Sequence, residues 1–380
     1  MTVRMTLTAA TAVALSAVAL AGPAVAATDS GGGHGATRKA IEAAVEAGVP
    51  GVTATAKDGH GTWSTTAGVG NIKTDQPRSE HDRYRVGSIT KTFVATVLLQ
   101  LEAEGRLSLD DTVDKWLPGV VEGNGHDGAQ ITLRQLLNHT SGIYNYTQDD
   151  DFVRTFFLAD GFFKHRFDTR TPQQLVAIAM KHKPVFEPGT SYSYSNTNYV
   201  VASMVIEKAT GHPYGDEVRR RIIDPLHLTA TSVPGTRVTV PQPSSRAYSK
   251  LAEETTGPTY DVTEFNPSAA SAAGGMISDS ADLNRFYRAL LQGRLLPAEQ
   301  LKEMKTTVAN PQTNDARYGL GIMDVKLSCG VHVWGHEGGI HGSSSVAVTT
   351  ADGRHSLAFN FNGDWTGRAV AVIEGEFCGK

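Results

Sequence analysis

Residues 85–105 read RVGSITKTFVATVLLQLEAEG, a small polar turn running into a long apolar helix pattern. Phe93, Val94, Val97, Leu98 and Leu101 recur at helical spacing, and Gly105 stands where a C-terminal cap belongs. Ser88 and Lys91 lie three apart at the start of this helix and so share one face. A serine hydroxyl attacks only when a neighbour takes its proton. A buried lysine can do this if its pKa falls from about 10.4 toward about 7, a shift of roughly 4.6 kcal/mol. Desolvation and a positive helix N-terminus both push in that direction. Ser-x-x-Lys alone is a cheap pattern, equally compatible with a capping serine and a surface lysine. Lys91 is nevertheless the only lysine in the chain with a serine three positions before it.

Upstream of this helix, "GVTATAKDG" and "TWSTTAGVG" alternate like two short strands joined by a glycine-containing turn. Downstream, residues 106–265 have a helix-and-loop character. From about 270 strand-like runs return in "GGMIS", "YGLGIM", "VHVW", "SSSVAVTT" and "HSLAFNFN", before a last helix "RAVAVIEGEF". Such short connections favour an antiparallel sheet flanked by helices. The fold class expected is therefore α/β (α+β), with a discontinuous α/β domain over 37–105 and 266–380. A mainly helical domain over 106–265 would be inserted into it.

The first 26 residues read as an export signal: Arg4, then an apolar, alanine-rich run through "AVALSAVALAG" to the small-x-small ending at Ala26. Residues 27–36 read as a flexible leader. No membrane anchor is expected, and the anticipated location is outside the cell. Net charge is −4 with no dense basic stripe, which argues against nucleic acid as a partner. The two cysteines, Cys329 and Cys378, are expected to pair in an oxidising compartment, stabilising the fold by roughly 4 kcal/mol in the chain-entropy model.

Two further stretches carry chemistry. In "YSYSNTNY", Tyr194-Ser195-Asn196 is the chain's only Tyr-x-Asn, set in a polar turn before the apolar run "YVVASMVIEKATG". A tyrosine hydroxyl beside a lysine can relay a proton, and an asparagine can both donate to and accept from a substrate amide. A plain helix-capping loop would have the same composition. In "WGHEGGIHG", residues 334–342, the histidines invite a metal reading that geometry rejects. His332 and His336 are four apart on a strand, hence about 13 Å apart, whereas zinc ligands each lie about 2 Å from the metal. "HEGGIH" also lacks the helical H-E-x-x-H spacing. No metal and no cofactor is expected. There is no Gly-x-Ser-x-Gly elbow and no GxxxxGK[ST].

Ser-x-x-Lys, Tyr-x-Asn and His-x-Gly in that order resemble the penicillin-recognising serine hydrolases of the β-lactamase fold, among them class C β-lactamases and DD-peptidases. The likeness is greatest to soluble, exported serine D-alanyl-D-alanine carboxypeptidases. It extends through "ITLRQLLNHTSGIYNYT", "SAAGGMISDSADLNRF" and "LSCGVHVWGHEGG", covering the chain from about residue 50. The resemblance implies that Ser88 becomes acylated while Lys91 and Tyr194 share the proton transfers, with the order between them open. It implies that Asn196 binds the substrate amide and that the N–H groups of Ser88 and Gly339 form an oxyanion hole. His336 and Gly338 would line the cleft, His336 counted among the catalytic residues. Expected partners are small peptides of the cell wall and β-lactams.

The chain departs from the carboxypeptidase pattern where that pattern holds a substrate carboxylate. Threonines usual around His-x-Gly are replaced by Glu337 and Gly339, and an arginine usual on an earlier strand is replaced by Met323. Strand parity turns the nearby Lys326 to the other face. At about 4 Å and an effective dielectric near 20, a like-charge contact costs about 4 kcal/mol. The leading expectation is a D-alanyl-D-alanine carboxypeptidase. A D-aminopeptidase, amidase or esterase is the alternative, and a non-catalytic binding module the second. His139 is expected to stabilise a turn, His341 to end a loop, His34 to belong to the leader, and Asp110, Asp111 and Asp114 to form a solvated helix entry.

Overall fold

The computed structural model describes residues 33–252, 256–311 and 315–379. The expected export signal, residues 1–26, lies outside them, as does most of the expected leader. The end of that leader needs correction. Helix α1 (Gly35–Glu46) begins inside it, and His34 stacks on Trp63 with ring centroids 4.6 Å apart while hydrogen-bonding Glu376 at 3.0 Å.

The alternating runs pair as expected. Strands β1 (Gly51–Lys57) and β2 (Thr62–Asn71) form an antiparallel hairpin, with Lys57 opposite Thr62 and Gly51 opposite Gly68. A short β3 (Gln76–Pro77) follows at the edge. The remaining strands of the sheet are β4 (Val308–Ala309), β5 (Ala316–Tyr318), β6 (Met323–Lys326), β7 (His332–Ile340), β8 (Ser343–Thr350) and β9 (Ser356–Phe361). All nine join one antiparallel sheet in the order β4-β5-β6-β7-β8-β9-β1-β2-β3. The two chain ends meet where Val52 of β1 faces Phe361 of β9. Two strand expectations fail: "YGLGIM" is the turn between β5 and β6, with only Tyr318 and Met323 extended. In "GGMIS" the glycines close a short helix, α6 (Ser271–Gly274), and only Ile277–Ser278 is extended; it pairs with Tyr84–Arg85 outside the large sheet.

Side-chain alternation splits the sheet between two apolar cores. On one face, Val52, Phe359 and Phe361 pack with Ile41 of α1 and Val372 of α8 (Ala369–Cys378). On the other, Ala347 and Ala358 join a core with Phe93 of α2 (Thr90–Ala103) and Phe286 of α7 (Ser280–Leu291). That core continues into the region read as a separate helical domain, through Tyr199 and Val201 of α5 (Asn196–Thr210). Residues from both expected domains thus share one interior, and the described residues form one compact unit.

Helix α2 is the pivot of this interior. It is buried on nearly every side, threonines included: Thr92 Oγ1 donates to Gly321 O at 2.6 Å, and Thr96 Oγ1 to Thr92 O at 2.7 Å. Its end follows the expected cap: Gly105 has φ +68°, its N–H reaches Glu102 O, and the Arg106 N–H reaches Leu101 O. A helix so enclosed carries the residues at its N-terminus to a fixed place.

Candidate active site

Ser88 sits in a 3-10 turn, Gly87–Ile89, that leads into α2, and Lys91 lies in the helix's first turn. This turn is pressed against β7. Gly87 has φ +53°, and a Cβ there would lie 2.8 Å from backbone atoms of Gly338 and Gly339; a Cβ on Gly338 would lie 1.9 Å from Val86 O. Only glycines permit this approach, which sets the N–H groups of Ser88 and Gly339 beside one opening. Strand β6 covers β7 only as far as Gly335, opposite Met323. Beyond it, the β7 edge over 336–340 borders the nucleophile turn.

The Lys91 amine is wholly buried. Its Nζ lies 2.9 Å from Ser88 Oγ, 2.8 Å from Asn196 Oδ1 and 2.6 Å from Ala273 O. Burial holds its pKa well below the ordinary lysine range. A neutral amine has two N–H donors and one lone pair. The two carbonyl oxygens take the donors, and the lone pair then faces the Ser88 hydroxyl. That is the arrangement a general base requires.

Tyr194 shares a lining with Ser88, and its ring lies 4.7 Å from Lys91 Nζ. Its face is open to the cleft, yet the protein crowded around it pushes its pKa well above 10, with Glu337 adding to the rise. The phenol therefore stays protonated at neutral pH. Its placement is owed to His139, a buried residue in the left-handed region at φ +61°. His139 O accepts from Ser193 N at 3.0 Å, and its Nδ1 accepts from Ser195 N at 3.2 Å, so the residues flanking Tyr194 are both pinned. The turn-stabilising role expected of His139 is what the contacts describe.

Asn196 opens α5, with its Nδ2 donating to Thr147 Oγ1 at 3.2 Å. His336 has both ring nitrogens engaged: Nδ1–H donates to Glu337 O, and Nε2 accepts from Tyr318 O–H at 2.8 Å. Burial and the neighbouring Lys91 lower its pKa to about 3. These contacts hold the ring against Tyr318 and its own strand. His332 is engaged separately, by Asp324 Oδ1 at 2.8 Å. Cys329 and Cys378 form the expected disulfide, Cα–Cα 5.8 Å. Asp111 accepts from Lys115 Nζ at 2.6 Å and from Trp116 Nε1 at 3.0 Å, bracing the start of a short helix.

Two hollows meet at Ser88 and Gly339. One is aromatic, walled by Tyr146, Phe152, Phe156, Phe157, Phe162 and Phe265, with Asn196 at its inner end. Helices α3 (Asp150–Phe156) and α4 (Ala159–His165) supply Phe152, Phe156 and Phe162 of this wall. Gly161 lets them close up, because a Cβ there would stand 1.9 Å from Arg154 O. His341 also lines it, half-buried and neutral, donating through Nε2 to Phe156 O at 2.6 Å. It is a wall residue as well as part of the two-residue turn between β7 and β8. The sequence signal for this pocket was the density of phenylalanine over 152–167, six of the chain's thirteen.

The other hollow holds Tyr194, Tyr192, Met323, His336 and Glu337. Glu337 points away from His336 along β7, exposed at the mouth yet flanked by enough protein to raise its pKa above the usual carboxylate range. Asp364 is a second acid in this lining, and among the described residues no lysine or arginine belongs to it.

A model of the family described as "Beta-lactamase" matches residues 37–372. The chain belongs to that family. It is a serine hydrolase of the β-lactamase and penicillin-binding-protein fold. A solved structure of a D-stereospecific amidohydrolase from Streptomyces sp. is 63% identical, with TM-score 0.87, covering 91% of this chain and 99% of that one. The D-amino acid amidase from Ochrobactrum anthropi SV3 is 30% identical, with TM-score 0.75, covering 86% of this chain and 90% of that one. Penicillin-binding protein 4* of Bacillus subtilis (strain 168) is 26% identical over 324 residues, 82% of this chain and 68% of that protein. Of the next curated relatives the chain spans about half the length.

Proposed function

We propose that this family member is a D-amino-acid amidase and esterase, releasing neutral or amine leaving groups from D-aminoacyl substrates with a bulky apolar side chain. The observation that carries the reading is the division of the cleft. Its polar half presents Glu337 and Asp364 with no lysine or arginine in the described lining, and its other half is walled by aromatic rings. A free-acid leaving group, as in a D-alanyl-D-alanine carboxypeptidase, would meet a carboxylate where it needs a cation. The solved D-amino acid amidase supports the aromatic side, having been crystallised with L-phenylalanine amide and with D-phenylalanine.

In the mechanism this geometry supports, the neutral Lys91 amine takes the Ser88 proton as Oγ attacks the acyl carbon. The oxyanion is held by the N–H groups of Ser88 and Gly339. Tyr194 lines only the polar half, so the leaving group belongs there. Its phenol gives that group a proton and regains one from the Lys91 ammonium. Water then enters from the vacated side, and the same relay runs in reverse to free the D-amino acid. The directions of the two pKa shifts favour Lys91 over Tyr194 as first acceptor.

We also propose export of the chain, on the strength of its apolar start and its disulfide, and acylation of Ser88 by β-lactams. Turnover of D-phenylalanine amide, L-phenylalanine amide and a free-acid D-Ala-D-Ala peptide tests the function. The D-amide is expected to be cleaved at least about tenfold faster than either other compound, a difference of about 1.4 kcal/mol. Preference for the free acid would restore the carboxypeptidase reading. A penicillin adduct on Ser88 without any turnover would mark a binding module.

A further inference from the structure

Arg85 lies three residues before the nucleophile, and its side chain is almost wholly enclosed, 3% exposed. Nη2 donates to Val238 O at 2.7 Å and to Phe265 O at 2.9 Å. Nε and Nη1 are buried without a hydrogen-bond partner among the described residues. Among the described residues no carboxylate pairs with the guanidinium, and its one further compensation is the Phe265 ring, 4.1 Å away. Burial lowers its pKa to about 10, which still leaves it charged at neutral pH. A buried charge with two idle donors is unfavourable unless something negative or strongly polar reaches it.

A narrow cavity beside Arg85 shows where that could happen. Arg83, Arg85 and Arg246 all line it, along with donors from Ser245 and Thr263, and among the described residues no aspartate or glutamate does. Arg246 shares one distant carboxylate, Asp261 at 3.6 Å, and Arg83 Nη1 donates to Gln242 O at 2.7 Å. His341 in the same wall is neutral. The cavity has room for one water or one small ion. Asn362 Oδ1, also in the wall, is an idle acceptor that a water would suit. The three guanidinium groups outweigh it electrostatically.

We propose that this cavity binds a single small monovalent anion of halide size, held chiefly by Arg85. Such an ion would steady the acyl pocket from behind, because Phe265 and His341 belong to the walls of both Arg85 and the aromatic hollow. It would also brace the nucleophile segment, whose Arg85 O accepts from Ser343 Oγ at 2.7 Å.

The wild-type protein suffices for the test, with bromide as probe. Crystals grown in bromide are expected to show an anomalous peak against the Arg85 guanidinium. Exchanging gluconate for bromide at constant ionic strength is expected to raise Tm by about 2–4 °C. A water in the cavity with no bromide peak would overturn the proposal. So would a peak with no change in Tm, which would mean an adventitious ion only.

Discussion

Lys91 decides whether the site works, because three polar contacts and complete burial define its protonation. Protonated lysine cannot accept the Ser88 proton. Activity should therefore fall as pH drops through the lowered Lys91 pKa and hold level above it, well below pH 10. Lys91→Arg keeps the cation at every pH and should lower kcat/KM by about 10²–10⁴-fold; a pH–rate profile of both proteins checks this. His139 acts through Tyr194. Replacing it with alanine should reduce kcat by about 10–10²-fold, whereas His139→Asn, which tolerates positive φ and offers an acceptor, should recover part of the loss. Equal losses in both variants would remove that positioning role. At this scale the sequence was most legible: Ser88, Lys91, Tyr194 and Asn196 each stand in a short motif, and the structure brings them within touching distance. The Tyr194 support was less visible, since His139 is 55 residues away and pins it through backbone atoms.

Strand β7 shows why adjacent glycines are not equivalent. Gly338 faces the nucleophile turn with no space for a methyl group, whereas nothing lies within 4 Å of a Cβ on Gly339. Gly338→Ala should push the strand off the turn and cost about 10²-fold in kcat. Gly339→Ala should melt with the wild type, and a pair of thermal denaturation curves with initial rates would show the contrast. The strand readable in "VHVW" continues through the motif to Ile340. Where alternation was short and glycine-rich, as in "GGMIS", extension was expected and a helix end was found. Local pattern cannot register which segment has a partner strand nearby.

Across the whole molecule, the sheet was legible because its strands alternate, and the aromatic pocket was not, because its walls come from residues 146–167, 265 and 341 and exist only once packed. The apolar density over 152–167 reads equally as a core helix. The division into two domains was similarly a matter of composition, while the shared interior around α2 depends on tertiary contact. The disulfide ties α8 to the loop before β7 and lies outside both hollows. Its reduction should lower stability by about 4 kcal/mol for a loop of this length with kcat unchanged, as urea melts and rates with and without reductant would report.

The electrostatic asymmetry of the cleft is tested most directly by two substrates that differ only in one terminal charge. These are D-phenylalanyl-D-alanine as the free acid and the same dipeptide as its C-terminal amide. Glu337 should make the amide preferred by at least about tenfold in kcat/KM at pH 8, which needs only about 1.4 kcal/mol. The ratio should narrow on acidification, because the Glu337 pKa is raised and its carboxyl becomes neutral first. Equal rates at pH 8, or preference for the free acid, would contradict the account.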